Sequence, residues 1–169
     1  MEAFVNYWLV WPSIVNFLNA NSWGWTLSEI LHFVGLVMLI GTVGMFDLRL
    51  LGVGKGFPLE PLRQLLPWGV VGFLLCVATG LVFTLGLQAN VPNPIYEVLM
   101  TDIWLQLKLL FMALAGVNLL FFYLSGASAE VDRLGAGQDA PPLAKAIAGA
   151  SLILWLGVVY FGRLIPWAL

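Results

Sequence analysis

Four long apolar stretches decide what this chain can fold into. They run from about residue 25 to 51, 62 to 87, 102 to 124 and 143 to 165. A helix needs roughly 20 apolar residues to cross the hydrocarbon core of a bilayer. Glycine and proline separate the stretches, and both residues favour loops over continued helix. Because lipid offers no partner for backbone N–H and C=O groups, each stretch is predicted to be a transmembrane helix.

The composition supports the same class. Of the 169 residues, 61% are hydrophobic and 9% are charged, whereas soluble domains carry about 25% charged residues. This excludes a cytosolic globular enzyme and a disordered chain. The net charge of −2 with scattered Lys and Arg indicates no nucleic-acid partner. We predict an all-α membrane protein, with one transmembrane domain over residues 1–169, folded as an antiparallel four-helix bundle.

The segment 3–19 differs from the four spans. It is shorter, rich in aromatic residues and interrupted by asparagine, and Pro12 is expected to kink a helix there. We predict an N-terminal interfacial helix in the headgroup region, with a fifth span as the alternative. Glu2 replaces the basic start of a signal peptide, and the apolar run is broken, so a signal peptide is not expected.

Lys and Arg in the connections predict the orientation. The first connection has Arg49, Lys55 and Arg63 around it, and the third has Arg133 and Lys145. The second connection has acidic residues and no basic one. Positive charges favour the cytoplasm, so both termini are predicted on the periplasmic side of a bacterial inner membrane. Arg163, near the C-terminus, is the exception.

Ionisable residues inside the predicted spans mark the candidate site. Charge at the bilayer centre costs at least ~2.5 kcal/mol on insertion scales, and His32 and Lys108 each lie about seven residues into a span that begins on the outer side. Both are therefore predicted roughly 10 Å below the outer boundary. We expect a polar pocket that also includes Glu29, Met112 and Arg163. The alternative is that His32 bonds to a neighbouring helix and that Lys108 extends its amine to the headgroups.

A single histidine limits the chemistry of that pocket. Imidazole is a common ligand of haem iron, but His32 is the only histidine, so this chain cannot supply two histidine ligands. Haem b on His32 is the predicted cofactor, with Met112, Met38 or a second chain as the source of any second ligand. Lys108 and Arg163 would neutralise propionates or the oxygen of a quinone. Zinc lacks ligands here, and no catalytic set is predicted.

Other polar residues are interpreted as structural. Asp47, Arg49, Arg63 and Arg133 mark the cytoplasmic edge, where interfacial anchoring and a local ion pair are expected. Interhelical hydrogen bonds are expected from Asn118, Thr42, Thr79 and Ser151. Small residues predict close helix contacts; they are Gly35, Gly41 and Gly44 in the first span, Gly69, Gly72, Cys76, Thr79 and Gly80 in the second, and Ala144, Ala148, Gly149 and Ser151 in the fourth.

Two stretches carry a family resemblance that covers roughly residues 25 to 163. The first contains Leu31, His32, Gly35, Gly41 and the run Asp47, Leu48, Arg49; the second runs from Trp104 to Leu110 and is followed by Asn118. They resemble an uncharacterised family of small bacterial inner-membrane proteins with four helices, which is distantly similar to the HemJ-type protoporphyrinogen oxidases and the CopD-type copper-resistance membrane domains. The resemblance implies haem or redox association at His32, with Lys108 as its polar partner.

The chain also departs from both families. HemJ-like proteins tend to have a histidine near the position of Asn118, and CopD-like proteins have further His and Met residues that are absent here. Neither protoporphyrinogen oxidation nor copper transport is therefore carried over.

Three functions remain open from the sequence. The first is a membrane subunit that binds haem b or takes part in redox chemistry, and that is not expected to be an enzyme on its own. The second is a non-catalytic accessory subunit of a larger respiratory or photosynthetic complex. The third is a small copper or ion permease. The expected partners are the lipid bilayer and either other membrane subunits or a second copy of the chain.

Overall fold

The computed structural model describes residues 11–89 and 95–167. That part of the chain is helical and contains no strand. Its α-helices are α1 Pro12–Ala20, α2 Ser22–Leu51, α3 Leu59–Leu85, α4 Ile95–Thr101, α5 Ile103–Leu124, α6 Ala127–Val131 and α7 Pro142–Leu164. Short 3-10 turns at Leu87–Ala89 and Ile165–Trp167 follow α3 and α7.

Four of these helices, α2, α3, α5 and α7, are long and apolar enough to cross a membrane. They correspond to the four predicted spans, and all of their ends lie within three residues of the predicted ones. Pro61 lies in the first turn of α3, where the N–H groups have no helical acceptor in any case. A proline is therefore tolerated there, and α3 begins at Leu59, earlier than we predicted.

Helix α1 includes the C-terminal part of the predicted interfacial segment, which is the part that the structure describes. Pro12 is at the start of this helix and does not kink it, because the fixed φ of proline suits the first helical turn. The Trp11 N–H donates to the carbonyl of Leu85 at 3.3 Å. Leu18 lies against Gly24 and Gly86, so α1 packs beside the start of α2 and the end of α3. Residues 3–10 of the predicted segment lie outside the described residues.

Helices α2 and α3 approach each other closely through small residues. A Cβ atom on Gly72 would lie 2.6 Å from the carbonyl oxygen of Gly35, and one on Gly69 would lie 2.5 Å from the Thr42 hydroxyl oxygen. Close packing at these glycines was predicted and is confirmed. It does not extend to Gly41 or Gly80, which have no heavy atom within 4 Å of a Cβ placed there.

Helices α5 and α7 form a second close pair. A Cβ atom on Gly157 would lie 2.2 Å from the Phe111 ring, and the rings of Trp104 and Phe161 stack with centroids 6.2 Å apart. The Asn118 side-chain amide donates to the carbonyl of Ile147 at 3.1 Å, which confirms the interhelical hydrogen bond predicted for Asn118. Early residues of α5 thus meet late residues of α7.

The buried core lies at the end of the molecule that carries the first and third connections. It is formed by residues of α2, α3, α5, α6 and α7 together with Ala140 before α7; these are Phe46, Leu50, Leu59, Phe122, Ala127, Val131, Ala140, Ala144, Ile147 and Ala148. Ala144 and Ala148 are almost fully buried, as expected for small residues at a helix contact. The short helices α4 and α6 were not predicted from the sequence.

Candidate functional site

His32 faces α3 from the first half of α2. Its Nδ1 lies 2.8 Å from the Thr79 hydroxyl oxygen. The Thr79 hydroxyl also lies 2.8 Å from the Leu75 carbonyl, to which it can donate its hydrogen. When it does so, it accepts from the imidazole; in that tautomer Nδ1 carries the proton and the lone pair of Nε2 is left for another partner. The imidazole is partly buried.

Aromatic residues lie beside His32, toward the start of α2 and the end of α3. The Phe83 ring lies 5.5 Å from the imidazole, measured between ring centroids, and Trp25 lies 5.2 Å from Phe83. The Trp25 indole N–H donates to a Glu29 carboxylate oxygen at 3.1 Å. Glu29 is exposed, and its bond to Trp25 places it at the rim of the site.

Cys76 lies between His32 and the glycine contact of α2 with α3. Its thiol donates to the His32 backbone carbonyl at 3.4 Å. A Cβ atom on Gly35 would lie 2.8 Å from the same sulfur. The sequence identified Cys76 as a packing residue and Thr79 also as an interhelical hydrogen bonder, which the contact with His32 confirms. It did not place either in the site, although Gly72, Cys76 and Thr79 follow the four- and three-residue spacing of one helix face. That spacing was the available signal that both side chains could meet α2.

Lys108 reaches the same region from α5. Its ammonium group lies close enough to interact electrostatically with His32 and Cys76. The stem packs on α7, where a Cβ atom on Gly162 would lie 3.4 Å from both Cδ and Nζ of Lys108. The glycine leaves room for the side chain. Lys108 thus packs on α7 and acts on the residues of α2 and α3 through its charge.

The remaining predicted site residues are less closely associated. Arg163 is exposed and Met112 is partly buried. Among the described residues, no hydrogen bond or ion pair joins Glu29, Met112 or Arg163 to His32 or Lys108. Hydrogen bonds join His32, Thr79 and Cys76, and Lys108 interacts with His32 and Cys76 through its charge. We call these four residues the imidazole site.

The donor set limits what the imidazole site can hold. The part of the chain that the structure describes has no group of three or more His, Cys, Asp or Glu side chains placed to bind a metal ion. These residues therefore give no support for an ion that takes all its ligands from them. A group that needs one imidazole ligand, or a ligand that accepts from Lys108 and donates to Nε2, is compatible with the residues present.

A second polar cluster joins the first and third connections. Arg63 forms an ion pair with Asp132, and Asp139 bonds to Lys145 at 2.8 Å and to Lys55 at 3.1 Å. These two lysines, Lys145 foremost, lower the pKa of Asp139 below its ordinary value. Arg49 is only 2% exposed and donates to backbone carbonyls of both connections. Of the four residues that the sequence grouped here, Arg49 and Arg63 belong to the cluster, whereas no ion pair among the described residues reaches Asp47 or Arg133.

No family model, no curated protein and no solved structure matches this chain. The resemblance to HemJ-type and CopD-type proteins therefore stays a prediction, and the function has to be argued from the imidazole site.

Proposed function

We propose that this chain is a subunit of a bacterial inner-membrane redox system that binds haem b through Nε2 of His32. The observation that carries the proposal is the bond from His32 Nδ1 to the Thr79 hydroxyl. Histidines that ligate metals almost always donate their other ring N–H to an acceptor, which fixes the tautomer and the ring orientation. Thr79 provides that acceptor here, in a part of the chain with no other histidine.

The charges around His32 suit the propionates of a haem. Lys108 supplies a positive charge inside the site, and Arg163 supplies one at the outer end of α7. When bound, the haem iron would take up and release one electron. The chain's own residues would hold it: His32 as ligand, Thr79 as the group that orients His32, and Lys108 as the counter-charge. Met112, or a second chain, would supply a second ligand. The same donors suit a quinone oxygen.

The proposed architecture is an antiparallel four-helix transmembrane bundle with an N-terminal interfacial helix. Two observations support it. His32 meets Thr79 while Thr42 meets Gly69, so successive contacts run in opposite directions along α2 and α3. Helix α1 packs where α2 begins and α3 ends, which is the periplasmic side in the proposed orientation.

Haem binding is tested by the visible absorption spectrum of the protein purified in mild detergent from cells supplied with haem precursor. We expect a Soret band in the wild type and its loss in His32→Ala. Thr79→Val removes only the orienting acceptor, so haem affinity should fall by about 10- to 100-fold. Thr42→Val is the matched control, because Thr42 also bonds to its own helix but does not touch His32. It should bind haem as the wild type does.

The spectrum can also contradict the proposal. A wild type without a Soret band, both alone and in its native complex, would rule out the haem. Equal spectra from the wild type and His32→Ala would show that any haem is held elsewhere.

A second candidate function is a non-catalytic accessory subunit of a larger membrane complex. A groove of about 450 Å³ between α5 and α7 favours it. The groove is lined by Leu114, Val117, Asn118, Phe121, Ala150, Ile153 and Leu154, and several of these are largely exposed. A helix of a partner, or of a second copy, would fit such a surface. Native electrophoresis of gently solubilised membranes should then find the chain in a larger assembly, whereas free monomer alone would count against it.

A further inference from the structure

Two aspartates are buried outside the imidazole site. Asp47 is 5% exposed and Asp102 is 3% exposed. In each, the Oδ2 atom has no hydrogen-bond partner among the described residues. Burying an ionised carboxylate costs several kcal/mol of desolvation free energy unless a nearby charge or hydrogen bonds offset that cost. The question for each aspartate is therefore which groups could stabilise its charge.

Asp102 has this compensation. It is the N-cap of α5, where Oδ1 accepts from the backbone N–H groups of Trp104 at 2.9 Å and Leu105 at 3.2 Å. The positive end of the helix dipole also lies there and favours a negative charge. Asp102 can therefore remain ionised although it is buried.

Asp47 has no such compensation. It lies one turn before the end of α2 at Leu51, where the helix dipole gives a carboxylate no stabilisation. It packs in the contact between α2 and α7, where Gly44 faces Leu152 and Gly149 faces Leu51. The hydroxyl of Ser151, itself 8% exposed, is the polar group that α7 turns toward it.

The Arg and Lys side chains at this end of the molecule bond to groups other than Asp47. Arg49 follows Asp47 by two residues, a spacing that puts side chains on different helix faces, and it donates to carbonyls of Phe57 and Gln138. Arg63 pairs with Asp132, and Lys55 and Lys145 pair with Asp139. Arg133 is exposed in the third connection, and Arg163 lies at the other end of α7. Within the described residues, no ion pair reaches Asp47.

We infer that Asp47 is a proton-binding site in the contact between α2 and α7. A neutral carboxyl group can donate to or accept from the Ser151 hydroxyl and needs no counter-charge. A metal ion would need several oxygen ligands, and the described residues offer it no such group. The proton is therefore the cation that this site fits. Its removal would put an uncompensated charge between two membrane-length helices and weaken their contact.

Infrared spectroscopy of the full-length protein tests the inference directly. A protonated carboxyl group has a C=O stretching band that ionised carboxylates lack, and a detergent without a carbonyl group leaves that region clear. We expect the band in the wild type at neutral pH and its loss in Asp47→Asn. Asp102→Asn is the matched control: it removes an equally buried aspartate whose charge is compensated, so the band should remain.

A third variant keeps the test decisive if Asp47→Asn does not fold. Ser151→Ala should shift the frequency of the band without removing it, because the carboxyl loses its hydroxyl partner. Absence of the band from the wild type at neutral pH, its persistence in Asp47→Asn, or its loss in Asp102→Asn would each overturn the inference. An unchanged frequency in Ser151→Ala would overturn the pairing with Ser151.

Discussion

At the scale of single residues, Arg49 has an unusual environment for a charged side chain. It is almost completely buried, and its Nε donates to the Phe57 carbonyl at 2.8 Å while both terminal nitrogens lie 3.4 Å from the Gln138 carbonyl oxygen. It also lies in the last turn of α2, where the helix dipole favours a positive charge. Arg49 thus joins the first and third connections without a carboxylate partner.

We predict that Arg49→Leu destabilises the protein by about 1–3 kcal/mol, because it removes the charged hydrogen bonds that join the two connections. Arg133→Leu removes an arginine from the exposed third connection and should change stability by less than about 0.5 kcal/mol. Unfolding in mixed detergent micelles measures both variants. Equal losses from the two substitutions would contradict the role assigned to Arg49.

The imidazole site was predictable from single residues only in part. His32 and Lys108 could be placed at similar depths from their positions in two spans that run the same way. Thr79 and Cys76 could not be assigned to the site, because that requires the register of α2 against α3. The register is set by backbone contact at Gly35 and Gly72, and no local pattern fixes which glycine meets which.

At the scale of elements, the sequence predicted the four long helices because length and hydropathy are enough to recognise a membrane span. It did not predict α4, a seven-residue helix that follows Pro92 and Pro94. It also did not distinguish glycines in helix contacts from glycines with open space beside them. Gly72 and Gly80 lie on the same helix and belong to the same predicted stripe, yet only Gly72 meets the backbone of α2.

This difference gives a prediction about the contact of α2 with α3. The Cβ atom of Gly72→Ala would lie 2.6 Å from the Gly35 oxygen and 2.8 Å from the Leu39 nitrogen. Backbone atoms cannot move aside as a flexible side chain can, so we expect a loss of about 1–3 kcal/mol or more. Gly80→Ala adds the same methyl group where nothing lies within 4 Å and should be neutral or slightly stabilising.

Unfolding of the two alanine variants in mixed micelles measures this difference, and the spectrum of the imidazole site gives a second readout. Displacing α3 from α2 would separate Thr79 from His32, so Gly72→Ala should also weaken haem binding. If Gly72→Ala is as stable as Gly80→Ala, Gly72 of α3 does not lie in close contact with the backbone of α2.

At the scale of the whole molecule, the first and third connections are bonded to each other. The Gly137 N–H donates to the Lys55 carbonyl at 2.9 Å, and the ion pairs of Asp132 and Asp139 link the same two segments. Two connections that share these bonds must lie on one side of a membrane. This agrees with the placement that their Lys and Arg residues predict, because positive charges favour the cytoplasm.

Thiol labelling in intact cells tests the proposed orientation of the whole chain. Cys76 is the only cysteine, so Cys76→Ser gives a background without thiols. Gly56 lies in the first connection with open space around it, and Gln88 is exposed just after α3. We expect a membrane-impermeant maleimide to label Gln88→Cys in intact cells and Gly56→Cys only after permeabilisation, because the first connection would face the cytoplasm. The reverse pattern would place the termini in the cytoplasm and the imidazole site in the inner half of the bilayer.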